Sequence, residues 1–375
     1  MNLNVLPKMT NDRLLSSYNY ELPPDLIAQN PVTPRDSSRL LVVDSPTTHH
    51  HEVFSDLTRW LQPGDLLVLN NTKVIPARLF GRKATGAPIE MLLLEERGKN
   101  QWLALVKPGK RFKIGSQLCF YPTSGPTDDE SQLLRAQVID RDDNTGGRLV
   151  SFDLPPEKDF WSVLEKYGHI PFPPYVHESS AQNEQYQTVY AQNPGSVAAP
   201  TAGLHFTGEL LQRLQDRGVG QTYITLHVGV GTFRPVEVED ITEHLMHQEW
   251  IEISSETSRK IEETKAKGGR VIAVGTTAVR ALEGTVKELQ KCGEQGISSF
   301  RGKTNLFIYP GYDWQIVDGL ITNFHLPRSS LMMLVSALIG RDRLLSLYNT
   351  AIEEKYRFYS FGDAMLILPA ARLVP

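Results

Sequence analysis

Apolar and polar positions change their rhythm twice along the chain. Residues 1–16 show no sustained period, and 18–34, centred on YELPPDLIAQNP, is broken by prolines. Pro24 followed by Asp25 suits the first turn of a short helix. RLLVVD (39–44) predicts a short buried strand. SDLTRWLQPGD predicts a short helix capped by Ser55 and stopped by Pro63 and Gly64, and DLLVLNN a second buried strand. Between 77 and 154 the helical period disappears. ARLFGRK, IEMLLLEE, QWLALVK, QLCFYP, LRAQVID and GRLVSFDL follow one another between Gly, Pro, Asp and Asn turns, with TSGPTDDES as a polar hairpin tip. Six short strand-like runs in succession predict a small antiparallel β-barrel.

After residue 155 helical and strand patterns alternate. DFWSVLEKYG, TGELLQRLQDRG, SSETSRKIEETKAKGG, TTAVRALEGTVKELQKCG, SSLMMLVSALIG and RDRLLSLYNTAIEEK read as helices. QTYITLHVGVGTF, RVIAVG, LFIYPG, GLITNF and YSFGDAMLIL read as strands. The fold class expected is α/β: a layered α/β main domain, 1–76 plus 155–375, carrying an inserted small antiparallel β-barrel domain at 77–154. A chain of 375 residues is long enough for two cores.

Composition adds little to the fold but narrows the setting. Hydrophobic residues make up 40% and charged residues 22%, which excludes a disordered or fibrous chain. Cys119 and Cys292 are too few for a disulfide framework or a cysteine-based zinc site, so a reducing compartment is expected. The start lacks an unbroken apolar signal region. The apolar run at 331–339 is about half the roughly 20 residues needed to cross a bilayer. The expectation is a cytoplasmic protein that does not enter the membrane. The net charge is −4, yet residues 73–113 hold ten bases and three acids, a local +7 that leaves −11 for the remainder. A basic module on an acidic protein is the footprint of a polyanion-binding surface, although a solvated strand face has the same composition.

Several segments carry candidate chemistry. RVIAVGTTAVRALE sets Gly275, Thr276 and Thr277 between a buried strand and a helix, where free N–H groups favour a carboxylate or phosphate. Arg280 lies one turn further on, and a plain threonine N-cap is the simpler alternative. LHVGVGTFRPV has Gly229 and Gly231 but lacks the third glycine and the helix of a dinucleotide loop. A Rossmann-type methyltransferase is disfavoured on the same ground. AAPTAGLHF leads through Thr201 to His205, and ITNFHLPRSSL leads through His325 to Ser329 or Ser330 as a helix cap. HLMHQEW holds His244, His247 and Glu249, but HExxH is absent and zinc is not expected. There is no GxSxG elbow, Walker loop or kinase signature.

In order, YELPPDLIAQNP, GDLLVLNNTKVIPARLFGRK, YQTVYA, AAPTAGLHFT, TLHVGVGTFRPV, HLMHQEW, VIAVGTTAVRALE, ITNFHLPRSSLMMLVSAL and EKYRFYSFGDAML span about 15–368. The series resembles the S-adenosylmethionine:tRNA ribosyltransferase-isomerase family of queuosine biosynthesis. Gln182 and Asn183 stand where that family often has an Asp-Arg pair, and Arg328 where it often has an acid. The segment 122–147 looks like an added hairpin.

The resemblance implies an α/β domain with an inserted β-barrel, and a transferase. Its ribosyl donor is S-adenosylmethionine as co-substrate, with no bound cofactor and no metal. The partner implied is tRNA bearing 7-aminomethyl-7-deazaguanine at the wobble position; the product is epoxyqueuosine-tRNA, with adenine and methionine released. A monomer is implied as well. Under this resemblance His205, His227 and His325 are the candidate proton-transfer residues, since histidine suits proton transfer near pH 7. Thr201, Gly231, Thr232, Thr276, Thr277, Arg280, Ser329 and Ser330 are candidates for S-adenosylmethionine, with Thr276 and Arg280 facing the methionine carboxylate. Arg78, Lys107, Lys110, Arg111 and Lys113 are candidates for tRNA phosphates, with Phe112 as a stacking residue. Three other classes stay open: a non-catalytic tRNA-binding module, an S-adenosylmethionine-dependent tRNA methyltransferase, and a protein that docks a partner on its acidic remainder.

Overall fold

Strands with no polar face frame the first part of the molecule. Leu66–Asn70, Val271–Val274 and Gly319–Asn323 are buried at every position, as parallel strands covered on both sides must be. Together with Gly220–His227 they form four neighbouring parallel strands, in the order Gly220–His227, Leu66–Asn70, Val271–Val274, Gly319–Asn323. Five further strands, paired antiparallel except for Arg39–Val43 on Ala364–Ile367, widen this centre to nine. Glu249–Ile253 and Phe300–Thr304 lie beyond Gly220–His227. Ala364–Ile367, Arg39–Val43 and the edge strand His50–Val53 lie beyond Gly319–Asn323.

The computed structural model describes residues 11–109, 112–127, 129–143, 145–155, 157–229 and 236–373. The chain separates into two compact units. One comprises Met1–Thr72, Pro173–Asn193 and Ala199–Pro375; the other comprises Lys73–Phe172 and Pro194–Ala198.

In the first unit, Leu40, Leu67, Leu69, Ile272, Val274 and Ile321 share a core with Leu210, Leu211 and Leu214 of helix Gly208–Asp216. The Thr207 hydroxyl caps that helix by accepting from the Leu210 N–H at 3.1 Å. Helices Ser255–Ala266 and Thr276–Lys291 pack on the same strands but contribute nothing to that cluster, so they cover the opposite face. Glu283, midway along Thr276–Lys291, is fully buried. Its carboxylate accepts from the backbone N–H groups of Gln315, Ile316 and Val317 at 3.0, 2.9 and 2.9 Å and from the Tyr312 hydroxyl at 3.1 Å. Four donors replace the water this charge has lost.

The second unit is the barrel. Its six strands are Arg78–Lys83, Pro88–Gly98, Gln101–Lys107, Arg148–Phe152, Leu134–Arg141 and Gln117–Phe120, in that spatial order. Pairing of the last with the first closes the ring. Closure brings Gly81 so near the opposite strand that a Cβ would sit 2.0 Å from the Cys119 carbonyl oxygen, so only glycine fits. Helix Phe160–Tyr167 stacks Phe160 on Trp102 at 5.1 Å, sealing the interior.

The structure corrects several local expectations. LFIYPG is not a strand; the strand is Phe300–Thr304, which pairs residue for residue with Glu249–Ile253 before Tyr309 and Pro310 break the run. Glu249–Ile253 and the edge strand His50–Val53 lack an apolar run and were not expected. Pro24–Leu26 is a single 3-10 turn. SDLTRWLQPGD shortens to the 3-10 turn Phe54–Asp56 and one helical turn, Leu57–Trp60. There the Asp56 carboxylate, not Ser55, accepts the free Val53 N–H. Leu134–Arg141 is the barrel strand expected from LRAQVID, so only the parts of 122–147 outside it can be an addition to the barrel. No described helix is long and apolar enough to cross a membrane.

Replacing Glu283 by Ala should lower the unfolding free energy of the first unit by about 3 kcal/mol, because the buried Ile316 and Val317 N–H groups and the half-buried Gln315 N–H lose their acceptor. Glu283→Gln, which keeps one acceptor oxygen, should cost less. Urea titration followed by circular dichroism measures both, and equal effects would refute the role given to the carboxylate.

Candidate active site and basic surface

In an open α/β sheet, loops at the carboxyl ends of the parallel strands surround the ligand. Here those ends present Asn70, His227, Gly275 and Asn323. Asn323 is the centre of the described arrangement. Its amide oxygen accepts from the Thr201 hydroxyl at 2.9 Å, and its amide nitrogen lies 3.1 Å from His205 Nε2. His205 Nδ1 lies 2.7 Å from the Ser38 hydroxyl, and the ring stacks on Phe54 at 4.9 Å. If the amide donates to Nε2, the imidazole proton sits on Nδ1 and points to Ser38. His205 also lines a small pocket with Arg35, Gln185, Ser360 and Phe361.

The turn Thr201–His205 is drawn against this network by small residues. A Cβ on Gly203 would lie 2.1 Å from the Tyr190 hydroxyl, so the turn packs directly beneath that ring. Gly275, with φ of 87°, begins helix Thr276–Lys291 as its N-cap; no side chain caps it. The Cβ position of Gly275 is 3.6 Å from the Ala202 methyl, so the helix start borders the same turn. Thr201, His205, Asn323 and the Gly275–Thr277 corner therefore form one neighbourhood. The Thr277 hydroxyl is buried there without a protein hydrogen-bond partner.

The other two histidines have different surroundings. His325 is held by Thr322, whose hydroxyl lies 2.8 Å from Nε2. Its backbone N–H donates to the Tyr348 hydroxyl at 2.8 Å, and its carbonyl accepts from Tyr20. His227 lies 2.8 Å from the Thr72 hydroxyl and stacks flat on Trp250 at 5.2 Å. Three strand spacings, roughly 14 Å, separate its strand from that of Asn323. Burial pushes His205 and His227 down to about 4 and His325 down to about 3. All three are neutral near pH 7, because a low-dielectric site disfavours imidazolium.

The remaining candidates fall in several places. Arg280 is buried and ion-paired with Glu249, and its Nε donates to the Leu306 carbonyl at 3.2 Å. Its second terminal nitrogen has no protein acceptor. Ser329 caps helix Ser330–Ile339 and donates to the Leu326 carbonyl at 2.7 Å, and Ser330 is the first helical residue. Arg328 is exposed at a positive φ of 57°. Gly231, Thr232, Lys110 and Arg111 lie outside the described residues. His244 packs edge-on against Phe307. Asn323 and Ser38 were not singled out from sequence; Asn323 stood inside ITNFHLPRSSL, but an asparagine closing a strand carries no distinctive signal.

On the barrel, Glu90 takes both Arg78 at 3.4 Å and Lys107 at 3.9 Å, while Lys113 is exposed. Phe112 is buried, with Lys83 over its ring at 4.7 Å, so it is not available to stack on a base. Arg148, also buried, donates to the carbonyls of Gly109, Phe112, Gly146 and Gly147.

A family model described as "Queuosine biosynthesis protein" matches residues 15–367. A protein of a Nostoc species named S-adenosylmethionine:tRNA ribosyltransferase-isomerase is 60% identical, over 96% of this chain and 93% of its own. A protein of the same name from Desulforamulus reducens is 49% identical, over 94% of this chain and 99% of its own. The crystal structure of S-adenosylmethionine tRNA ribosyltransferase from Thermotoga maritima is 40% identical. It superposes with a TM-score of 0.52, covering 94% of this chain and all of that one. A match across nearly the whole length, on an α/β unit and a closed six-stranded barrel, places this chain in the queuosine biosynthesis protein family.

Proposed function

We propose that this chain is an S-adenosylmethionine:tRNA ribosyltransferase-isomerase. It moves the ribosyl part of S-adenosylmethionine to the aminomethyl group of 7-aminomethyl-7-deazaguanine in tRNA, yielding epoxyqueuosine-tRNA, adenine and methionine. The observation that carries the reading is 60% identity to a relative of that name across 96% of the chain. The setting proposed is the cytoplasm, with the chain acting as a monomer.

In this reading the carbon beside the sulfonium is acidified and loses its proton to a base, giving an ylide. The ylide expels the ring oxygen from the adjacent carbon, and the resulting alkoxide expels adenine, which takes up the base's proton, to leave an aldehyde and a vinyl sulfonium. The neutral tRNA amine adds to the vinyl sulfonium and gives up a proton to the base; the ylide so regenerated closes on the aldehyde, and the new alkoxide displaces methionine as the sulfide to form the epoxide. His205 is the proposed base, its Nε2 lone pair taking the substrate proton in place of the hydrogen bond from the Asn323 amide. A buried imidazole is a weak base because imidazolium is poorly solvated. Proton transfer from a sulfonium, however, moves one positive charge across the site and creates none. The burial that disfavours imidazolium disfavours the bound sulfonium as well. Thr201 and Asn323 orient His205 and face the ribose, while Thr276, Thr277 and the unpaired nitrogen of Arg280 serve the methionine carboxylate. Arg280 is already neutralised by Glu249, so it contributes a hydrogen bond more than a net charge. His227 and His325 are secondary candidates, and Ser329 and Ser330 contribute helix-start donors. Arg78, Lys107 and Lys113 face tRNA phosphates, whose binding weakens as salt rises.

Incubation with S-adenosylmethionine and tRNA bearing the aminomethyl base, followed by mass spectrometry, should show free adenine and methionine in step with modified tRNA. S-adenosylhomocysteine as the product would instead identify a methyltransferase, and unmodified tRNA would leave a binding module. His205→Ala should lower kcat/KM by about 10²–10⁴-fold, the usual worth of a general base. Unchanged turnover in a folded variant would exclude His205.

The same histidines make stability depend on pH. Unfolded imidazoles take up protons below about 6.5, whereas folded His205 does so only near 4 and His325 near 3. Between these values the unfolded chain binds more protons, so stability falls as pH drops from 6.5 toward 4. Each buried histidine contributes up to about 1.4 kcal/mol per pH unit. Urea midpoints at pH 7 and pH 5 should differ accordingly, and His205→Gln should reduce that difference. A midpoint independent of pH would contradict the neutral assignment.

A further inference from the structure

The barrel strand Arg78–Lys83 alternates strictly, with Leu79 and Gly81 inward and Arg78, Phe80 and Arg82 on the outer face. Phe80 is 40% exposed, the one phenylalanine among the described residues left so open. Its surroundings are built rather than incidental. On one side His169 meets it edge-on at 5.2 Å. Along the same edge the Tyr121 N–H donates to the Phe80 carbonyl at 2.9 Å, which sets partly buried Tyr121 beside it on the same face, while Glu90 stands opposite Phe80 on the neighbouring strand. Burial and the nearby Arg78 hold His169 below its ordinary pKa, so that ring is neutral.

Arginines bracket this aromatic row along the strand, and acids fix their direction. Arg78 is tethered by Glu90, and Arg82 by Glu130 at 2.7 Å. Lys107 shares Glu90 and Arg135 shares Glu130, so four cations stand against two carboxylates and the face stays positive. Pairing on both edges, with Pro88–Gly98 and with Gln117–Phe120, holds the row in register. A flat apolar ring on a rigid strand between guanidinium groups is the arrangement that stacks an unpaired base while cations follow the phosphates.

We infer that Phe80, flanked by Arg78 and Arg82, is a stacking platform for an unpaired nucleobase of the RNA substrate, a position that buried Phe112 does not fill. The inference rests on the tRNA-modifying reading proposed above and deepens it. An alternating strand recognises RNA in two separable ways here: the ring contributes without regard to salt, and the arginines contribute through it.

The test uses the full chain and a fluorescein-labelled anticodon stem-loop, with affinity read by anisotropy across a salt series. Phe80→Ala should raise Kd about tenfold, leave the salt slope unchanged and leave the unfolding midpoint near that of the parent. Arg82→Gln should flatten the slope. Phe80→Trp should retain affinity and show quenching of the new indole on addition of RNA. Parent-like affinity in Phe80→Ala, or no change in indole emission in Phe80→Trp, overturns the inference while leaving the enzymatic reading standing. Failure of the parent chain itself to bind the stem-loop overturns both.

Discussion

The Asn323 side chain ties a distant turn to the carboxyl end of one central strand. Its oxygen holds Thr201 and its nitrogen faces His205, so the small-residue turn Thr201–His205 is anchored to the central sheet by one amide. An amide can do this because it is donor and acceptor at once and carries no charge. A carboxylate here would repel no proton from His205 and would raise its pKa; an apolar residue would leave the Thr201 hydroxyl without its acceptor. The position of the pocket beside His205 and the approach of Gly275 to Ala202 both go with this anchor.

Much of this architecture is legible in the sequence because burial on both faces leaves a simple record. LLVLN, VIAV and GLITN are apolar or small almost throughout, and only a central parallel strand requires that. The barrel is legible for the complementary reason: alternation in ARLFGRK and LRAQVID marks strands with one face inside. Strands at the margins leave no such record. Glu249–Ile253 reads EWIEI and Phe300–Thr304 reads FRGKT, and each is a strand because its neighbour supplies hydrogen bonds, not because its own composition demands it. LFIYPG shows the converse, an apolar stretch without a strand partner.

The site divides along similar lines. Residues at strand or helix ends next to Gly, Pro or Ser, such as Thr201, His205 and Thr276, stand out because a turn limits what can follow. Partners drawn from distant sequence do not stand out. Ser38 reaches His205 across 167 positions, and Arg280 finds Glu249 across 31. No local period encodes either contact. Charge counting suffers the same limit, since the basic run at 73–113 contains Phe112, a ring that the fold buries, and Phe80, a ring that it leaves open.

Glu283 holds the segment Gln315–Val317 by backbone N–H groups alone. Every non-proline residue supplies the same donor. The tether is therefore indifferent to what side chains the segment carries, so long as none is proline, whereas the helix position that grips it has almost no latitude. Variation on one side of this contact and constancy on the other is the pattern that such one-sided bonding would impose on descendants of this chain.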